Sequence, residues 1–337
     1  MLLYKNYPLE VVQTLADYRR ERLHGKKVFY NRNIHIEPTN KCVYACKFCS
    51  FYRSPKSSSE EGVWDYTFED IEEILESHKT QNLTEVHITG GVHPTHELDW
   101  WTELVRRVKK ILPGIHVKAY TAVEIAFMAK QEGISFKQVL LELQKAGVDS
   151  LPGGGAEILN SEVRKKIAGG KAPSSHWLEI HKTAHELRIQ SNATMLYGHV
   201  ETLEHRLEHM IEIRELQEQT DGFNAFIPLK YRNVNNALSH IKETQEEDDL
   251  RNFAVSRLMV QNIKHLKAYW VMLGIETAQK SLSYGVDDLD GTISDTTKIY
   301  SMAGSIDHPA MTVMQLKQII ENQDFIPVER DSIYNPI

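Results

Sequence analysis

Cysteine is almost absent: the chain holds 3 in 337 residues, all between Cys42 and Cys49. An odd count and no secretory leader argue against a structural disulfide. After Cys49 no His or Cys follows until His78, so a closed four-ligand zinc site is not completed nearby. No apolar run approaches the ~20 residues of a membrane-spanning helix. Excess positive charge is also missing, with 39 Lys and Arg against 46 Asp and Glu for a net charge of -7. Nucleic-acid backbones call for a basic patch or stripe, so they are not expected partners, and an anionic ligand must be met by local cations. Met1-Leu2-Leu3-Tyr4-Lys5-Asn6 has no charged head leading into a long apolar segment, which makes the cytoplasm the expected location.

What is present is concentrated. Cys42-x3-Cys46-x2-Cys49 follows an apolar strand-like run, Ile34 to Ile36. Three thiolates at this spacing suit three irons of a cubane [4Fe-4S] cluster and leave the fourth iron open. The rest of the chain alternates. Residues 8 to 23 predict a helix with Val11, Val12, Leu15 and Leu23 on its apolar side, and Arg53 to Gly62 reads as a mobile surface loop. Asp65 to Lys79 predicts a helix with Phe68, Ile71, Ile74 and Leu75 as its buried stripe. Strands are expected at Ile34, Glu85, His116, Asp149, Ser191, Phe223, Lys267 and, more weakly patterned, near Val286, with helical segments between them. Strand and helix alternating predict a parallel sheet, hence an α/β fold: a TIM-like (β/α)8 barrel, with a partial (β/α)6 barrel plus C-terminal extension as the alternative. The expected layout is a helical extension over 1–30, the barrel over 31–292 with the cluster loop at 38–52, and a C-terminal extension over 293–337 packing on it.

Strands covered on both faces usually read as continuous apolar runs. Here His35 and Glu37, His87 and Thr89, His116, Lys118 and Tyr120, Asn192 and Thr194, and Asn224 and Phe226 alternate with apolar residues. Five strands doing so together predict a polar lumen holding a polar ligand. Thr89-Gly90-Gly91 closes the second strand, where paired glycines admit close approach to the backbone. Gly153-Gly154-Gly155 lacks the Gly-Lys-Ser/Thr ending of a nucleotide loop. The pairs His181 with His185 and His205 with His209 do not match His-Glu-x-x-His and are expected on solvated or packing faces, while Glu243 to Asp249 reads as an exposed loop and helix start.

The cysteine triad, with Phe48 just before its last member, resembles the radical S-adenosylmethionine (SAM) superfamily. That resemblance implies that the open iron is chelated by the amine and carboxylate of SAM and that the cluster's electron yields a 5′-deoxyadenosyl radical. It further implies that Cys42, Cys46 and Cys49 are the ligands, that Gly90 and Gly91 meet the methionine amine, and that Phe48, Glu124, Glu157 and Arg164 belong to the SAM site, Arg164 facing the carboxylate. Pro38-Thr39-Asn40, Asp149 to Glu157, Trp177 to His181 and Ser191 to His199 resemble the futalosine-pathway and deazaflavin-forming enzymes. Lys118 to Ile125, Met195 to His199 and Pro327 to Asp331 are most similar to the aminofutalosine synthase family of menaquinone biosynthesis. The implied reaction adds the radical to 3-[(1-carboxyvinyl)oxy]benzoate and gives 6-amino-6-deoxyfutalosine, with an external donor such as flavodoxin or ferredoxin supplying the electron. Lys118, Asn192, His199 and Lys230 are the residues expected to meet the two substrate carboxylates. The alternatives are a dehypoxanthine futalosine cyclase, another deazaflavin-type enzyme, or a non-catalytic iron-sulfur protein.

Overall fold

A computed structural model describes residues 1–57, 62–295, 299–305 and 309–337. The expected surface loop Arg53 to Gly62 therefore falls partly, at 58–61, outside the described residues. Eleven strands occur among the described residues: β1 (Lys27–Asn31), β2 (Asn33–Ile36), β3 (Glu85–Ile88), β4 (His116–Ala119), β5 (Ser150–Leu151), β6 (Gln190–Tyr197), β7 (Phe223–Lys230), β8 (His265–Leu266), β9 (Asp288–Gly291), β10 (Ser294–Asp295) and β11 (Ile326–Glu329). One sheet of eight runs β10-β2-β3-β4-β5-β6-β7-β8, and every pairing in it is parallel. Helices fill the crossovers, as a parallel sheet requires. At one margin of this curled sheet Asp287 N donates to Leu266 O (3.1 Å) and Ala268 N to Asp288 O (2.9 Å), joining β8 to β9 of a second sheet. Because only Thr292 and Ile293 separate β9 from β10, the two behave as one interrupted eighth strand beside β1 and β2. The TIM-like α/β barrel expected from the alternation is the fold.

Three differences from the sequence reading have physical causes. The strand expected over Lys267 to Val271 is only His265–Leu266, and Trp270–Leu273 is a short helix. β1 and β11 lie in the segments expected to be extensions, where β11 and β9 flank β1 in a second, three-stranded sheet. The first long helix, Leu9–His24, buries Val12, Ala16 and Arg20 and leaves Val11 and Leu15 exposed, so its inward stripe is displaced from the expected one. Arg20 can sit there because its guanidinium donates to Asp17 and to Gly25 O and lies over the Phe325 ring.

Local chemistry sets the boundaries. Thr67 with Asp70, Thr121 with Glu124, Ser135 with Gln138 and Thr202 with His205 form capping boxes at four helix starts. Gly133 and Gly147 end two of these helices in the left-handed region.

Polar side chains such as Glu85, Lys118, Asn192 and Lys267 line the lumen together with apolar ones, and two residues depart from the expected alternation. Tyr120 turns outward and donates its hydroxyl to Trp101 O at 2.9 Å, on the helix Leu98–Ile111. Along β7 the pairing moves from Ser191 with Phe223 to Ala193 with Phe226, so β7 carries one extra residue. That bulge reverses which side chains point inward: Ile227 and Leu229 line the lumen, while Phe226 packs beside His209 of the helix Leu203–Thr220. His181, His185 and His209 are buried packing residues: His181 and His185 bond to Ser191, His185 also to Thr220, and His209 to Leu159 N and Thr194 O, while His181 Nε2 has no partner.

Candidate active site

The loop after β2 is clamped from four sides. Cys42 N donates to Arg53 O (3.0 Å), Val43 N to Val92 O (2.9 Å), Lys47 N to Ile167 O (2.8 Å), and Ala237 N to Lys47 O (2.9 Å). Asn40, fully buried, donates to Gly62 O and accepts from Trp64 N, which explains the Pro38-Thr39-Asn40 lead into the cysteines. Gly91 N donates to Thr39 O at 2.7 Å. A Cβ on Gly90 would lie 2.8 Å from Thr39 O, and one on Gly91 would lie 2.4 Å from Lys41 O. These glycines are demanded first by the backbone of the cysteine loop crossing over them, a closer constraint than the ligand approach inferred from sequence.

Cys42, Cys46 and Cys49 carry no disulfide and line one cavity. The cavity has a volume of about 350 Å³, within the range of small-molecule sites. Burial pushes all three thiols up, Cys49 to about 12, so three thiolates here need a cationic partner. Iron supplies that charge, and the donor set fits a cubane with one open iron. Phe48, Gly90, Gly91, Glu124, Glu157, Lys118, Asn192 and Lys230 line the same cavity.

Glu124 is placed by its capping box. One oxygen, Oε2, accepts from Thr121 N (2.7 Å), Thr121 Oγ1 (2.6 Å) and Thr89 Oγ1 (3.2 Å). The other, Oε1, is buried without a hydrogen-bond partner. Burial lifts this carboxyl to about 7 against the pull of those donors. A buried oxygen without a partner, on a residue that lines the cavity, favours a donor such as a ribose hydroxyl or an amine. Glu157 has its oxygen 2.5 Å from Lys171 Nζ, and that ammonium, chiefly, outweighs burial and holds its carboxyl low.

Two expected residues stay out of the cavity. Arg164 donates to Gly155 O (3.1 Å), Ala156 O (2.5 Å) and Ala172 O (2.8 Å), so its guanidinium braces the turn around Glu157. His199 hydrogen-bonds Leu196 O at 3.0 Å and lies 3.1 Å from Glu201, with no exposed side-chain surface. Lys118 reaches the lumen already paired with Glu85 at 2.5 Å, whereas Lys230, next to the inward Leu229 on β7, turns its ammonium to Thr244 O at 2.9 Å and to Asp249 at 2.7 Å on the helix Glu246–Met259. Sequence reasoning passed over Lys171, Arg232, Tyr269, Asp290 and Tyr300, all of which line the cavity. It also treated Lys267 only as a strand marker; its Nζ lies 2.5 Å from Asp290 inside the barrel. Glu85 shares the face of His87 and was readable from the same alternation; Lys171, in the Gly169-Gly170-Lys171 turn, carried no periodic signal.

Parallel barrels whose first strand feeds three converging thiols form one class, the iron-sulfur barrel enzymes, and this chain is of that class. It belongs to the radical SAM superfamily. The superfamily's model matches residues 36–213, and a model described as the CofH/MqnC C-terminal region matches 220–337. Among curated relatives, the chain is 43% identical to an aminodeoxyfutalosine synthase of Thermus thermophilus, over 100% of this chain and 91% of that one. It is 37% identical to one of Streptomyces coelicolor, over 98% and 88%. A 5-amino-6-(D-ribitylamino)uracil--L-tyrosine 4-hydroxyphenyl transferase of Archaeoglobus fulgidus is 34% identical, over 99% and 95%. Among solved structures, methylornithine synthase (PylB) superposes with a TM-score of 0.75 at 16% identity, covering 96% of this chain and 91% of its own. The hydrogenase maturase HydG of Carboxydothermus hydrogenoformans gives 0.72 at 14%, covering 99% and 76%. These two share the fold. As a radical SAM enzyme the protein uses a [4Fe-4S] cluster and SAM. Among the described residues no helix is long and apolar enough to cross a membrane.

Proposed function

We propose that this enzyme is an aminodeoxyfutalosine synthase, joining the adenosyl group of SAM to 3-[(1-carboxyvinyl)oxy]benzoate. The products are 6-amino-6-deoxyfutalosine, methionine and bicarbonate, on the route to menaquinone. The observation that carries the reading is full-length similarity at 43% and 37% to two aminodeoxyfutalosine synthases. When bound, the cluster and SAM supply a 5′-deoxyadenosyl radical from one external electron, for which flavodoxin or ferredoxin is a suitable donor.

The chain's residues take the remaining tasks. Cys42, Cys46 and Cys49 hold the cluster. Gly90 and Gly91 offer backbone to the methionine end of SAM, Glu124 offers its unpaired oxygen, Glu157 and Phe48 bound the same wall, and Arg164 acts at one remove by holding the Glu157 turn. The dicarboxylate is met by Lys118, Arg232 and Lys267, which line the cavity with Asn192, while Lys230 at the end of β7 acts at one remove through Asp249. Lys118, Arg232 and Lys267 each have an acidic partner, Glu85, Glu243 and Asp290 respectively, so a substrate carboxylate competes for an ammonium or guanidinium already positioned. His199 supports the strand end beneath them. Enclosure in the barrel keeps water and stray hydrogen donors from the reaction. A reducing cytoplasm suits three unpaired cysteines.

Anaerobic incubation of the reconstituted, reduced protein with SAM and the benzoate, read by mass spectrometry, tests this. An adenosyl-benzoate adduct minus carbon dioxide is the expected product. The 34% identity to the hydroxyphenyl transferase supports a second reading, in which tyrosine and the ribitylaminouracil are consumed instead. If 5′-deoxyadenosine alone forms with the benzoate, the tyrosine reaction becomes the one to assay. Cys49→Ala abolishes turnover under either reading.

A further inference from the structure

In the parallel register His35, His87 and Lys118 stand opposite one another on β2, β3 and β4, so their side chains form one row. The rings of His35 and His87 lie 4.6 Å apart. His35 is engaged at both nitrogens, Nδ1 with the Tyr300 hydroxyl at 2.5 Å and Nε2 with the Asn33 amide at 3.2 Å. His87 differs. Its Nε2 is buried without a hydrogen-bond partner, no hydrogen bond to its Nδ1 occurs among the described residues, and its partly buried ring lines the cavity.

The charges around this ring already cancel. Lys118 Nζ lies 2.5 Å from Glu85, and Lys267 Nζ lies 2.5 Å from Asp290. The groups that bear on His87 are His35 from β2, Glu85 from its own strand, Lys118 from β4 and Asp290 from β9. Burial above all keeps the imidazole neutral, with its pKa well below the usual 6.5. A substrate carboxylate entering the lumen upsets the balance. It can take Lys118 from Glu85, or Lys267 from Asp290, but either exchange leaves a carboxylate of the protein without its cation, and a buried unpaired charge is costly. One more positive charge is needed, and an imidazole with no bond to lose can supply it by accepting a proton.

We propose that His87 contacts the substrate, taking up a proton as a carboxylate of the aromatic ligand enters the lumen and pairing with that carboxylate beside Lys118. The proton comes from solvent, and no other bond changes. The inference rests on the dicarboxylate substrate proposed above, because a ligand without an anionic group leaves the imidazole neutral. Linkage gives the direction: the free ring titrates far below neutrality and the bound ring higher, so between the two values affinity falls about tenfold for each unit of rising pH.

The test is calorimetric titration of 3-[(1-carboxyvinyl)oxy]benzoate into the reconstituted, unreduced protein with SAM present, in buffers of different ionisation enthalpy. Near neutral pH the wild type should take up about one proton per substrate bound. His87→Gln, which can hydrogen-bond but cannot be charged, should take up none, and its affinity should no longer change with pH. Uptake that survives in His87→Gln and disappears in His35→Gln overturns the proposal by moving the proton to the neighbouring ring. Wild-type binding that draws no proton also overturns it, and that measurement needs no variant to fold. If the benzoate does not bind at all, the proposed reaction falls together with this inference; if it binds and is converted without proton uptake, the inference alone falls.

Discussion

At the residue scale Glu124 shows how a capping position becomes a binding position. The capping box fixes Oε2 at the start of the helix Ala122–Glu132 and leaves Oε1 buried without a partner, on a residue that lines the cavity. Its folded value of about 7 lies above the ordinary 4.5, so the folded state holds the proton more tightly than the unfolded one. Stability from this group is therefore complete below pH 4.5 and is lost as pH rises to about 7; the rise in pKa is worth roughly 3 kcal/mol. In the apoprotein, Glu124→Gln should flatten that decline, raising the unfolding midpoint at pH 8 and changing it little at pH 4. The same variant should weaken SAM binding, because an amide cannot supply the second acceptor. An unchanged pH slope in chemical denaturation would count against this account. The three cysteines were legible because scarcity and spacing are properties of the string. Lys171 was not, since its meaning comes from the turn that brings it to Glu157. Arg164 and His199 were misjudged for a related reason: sequence shows a cation or an imidazole, but not the backbone carbonyls and the Glu201 carboxylate that already occupy them.

At the scale of elements, the cysteine loop and the turn after β3 form one unit. Gly91→Ala would drive a Cβ against Lys41 O and against the Lys41 carbonyl carbon at 2.8 Å, and backbone cannot rotate away as a side chain can. A cost of about 1–3 kcal/mol is expected for such overpacking, with the loop displaced from Val92. Iron bound per chain after reconstitution should fall in Gly91→Ala, although neither substituted atom is a ligand. Full iron loading with an unchanged thermal midpoint would show that the loop tolerates the shift. Elements with clear periodicity, such as Phe68–His78 with Ile71 and Leu75 buried, were readable in advance. β5, two residues long, and the bulge on β7 were not, because a two-residue strand has no period and an inserted residue is visible only against its partner strand.

For the whole molecule the decisive feature is the second sheet, in which β11, from the far end of the chain, lies beside β1 and covers the closure of the barrel. Arg330 follows β11 directly; its Nε donates to Asp288 at 2.6 Å, and both side chains are essentially inaccessible. Asp288 also accepts from Asp290 N at 2.6 Å, and Asp290 in turn holds Lys267 in the lumen. The C-terminal segment is thereby tied to a lumen cation through two carboxylates. Sequence could not show this: Arg330 and Asp288 are 42 residues apart, and although Arg330 falls in the Pro327 to Asp331 stretch, nothing in that stretch points to Asp288. Removing one member of a buried pair strands the other charge, so Arg330→Met should destabilise by about 3–5 kcal/mol, whereas removing both charges should cost much less than the sum of the single losses. Asp288→Asn keeps an acceptor for Asp290 N, which makes Arg330→Met with Asp288→Asn the right double variant. Urea unfolding of the four proteins gives the coupling directly. Additive losses would mean that the two residues act independently; a double variant more stable than Arg330→Met alone would show that the penalty lies in an uncompensated Asp288 carboxylate.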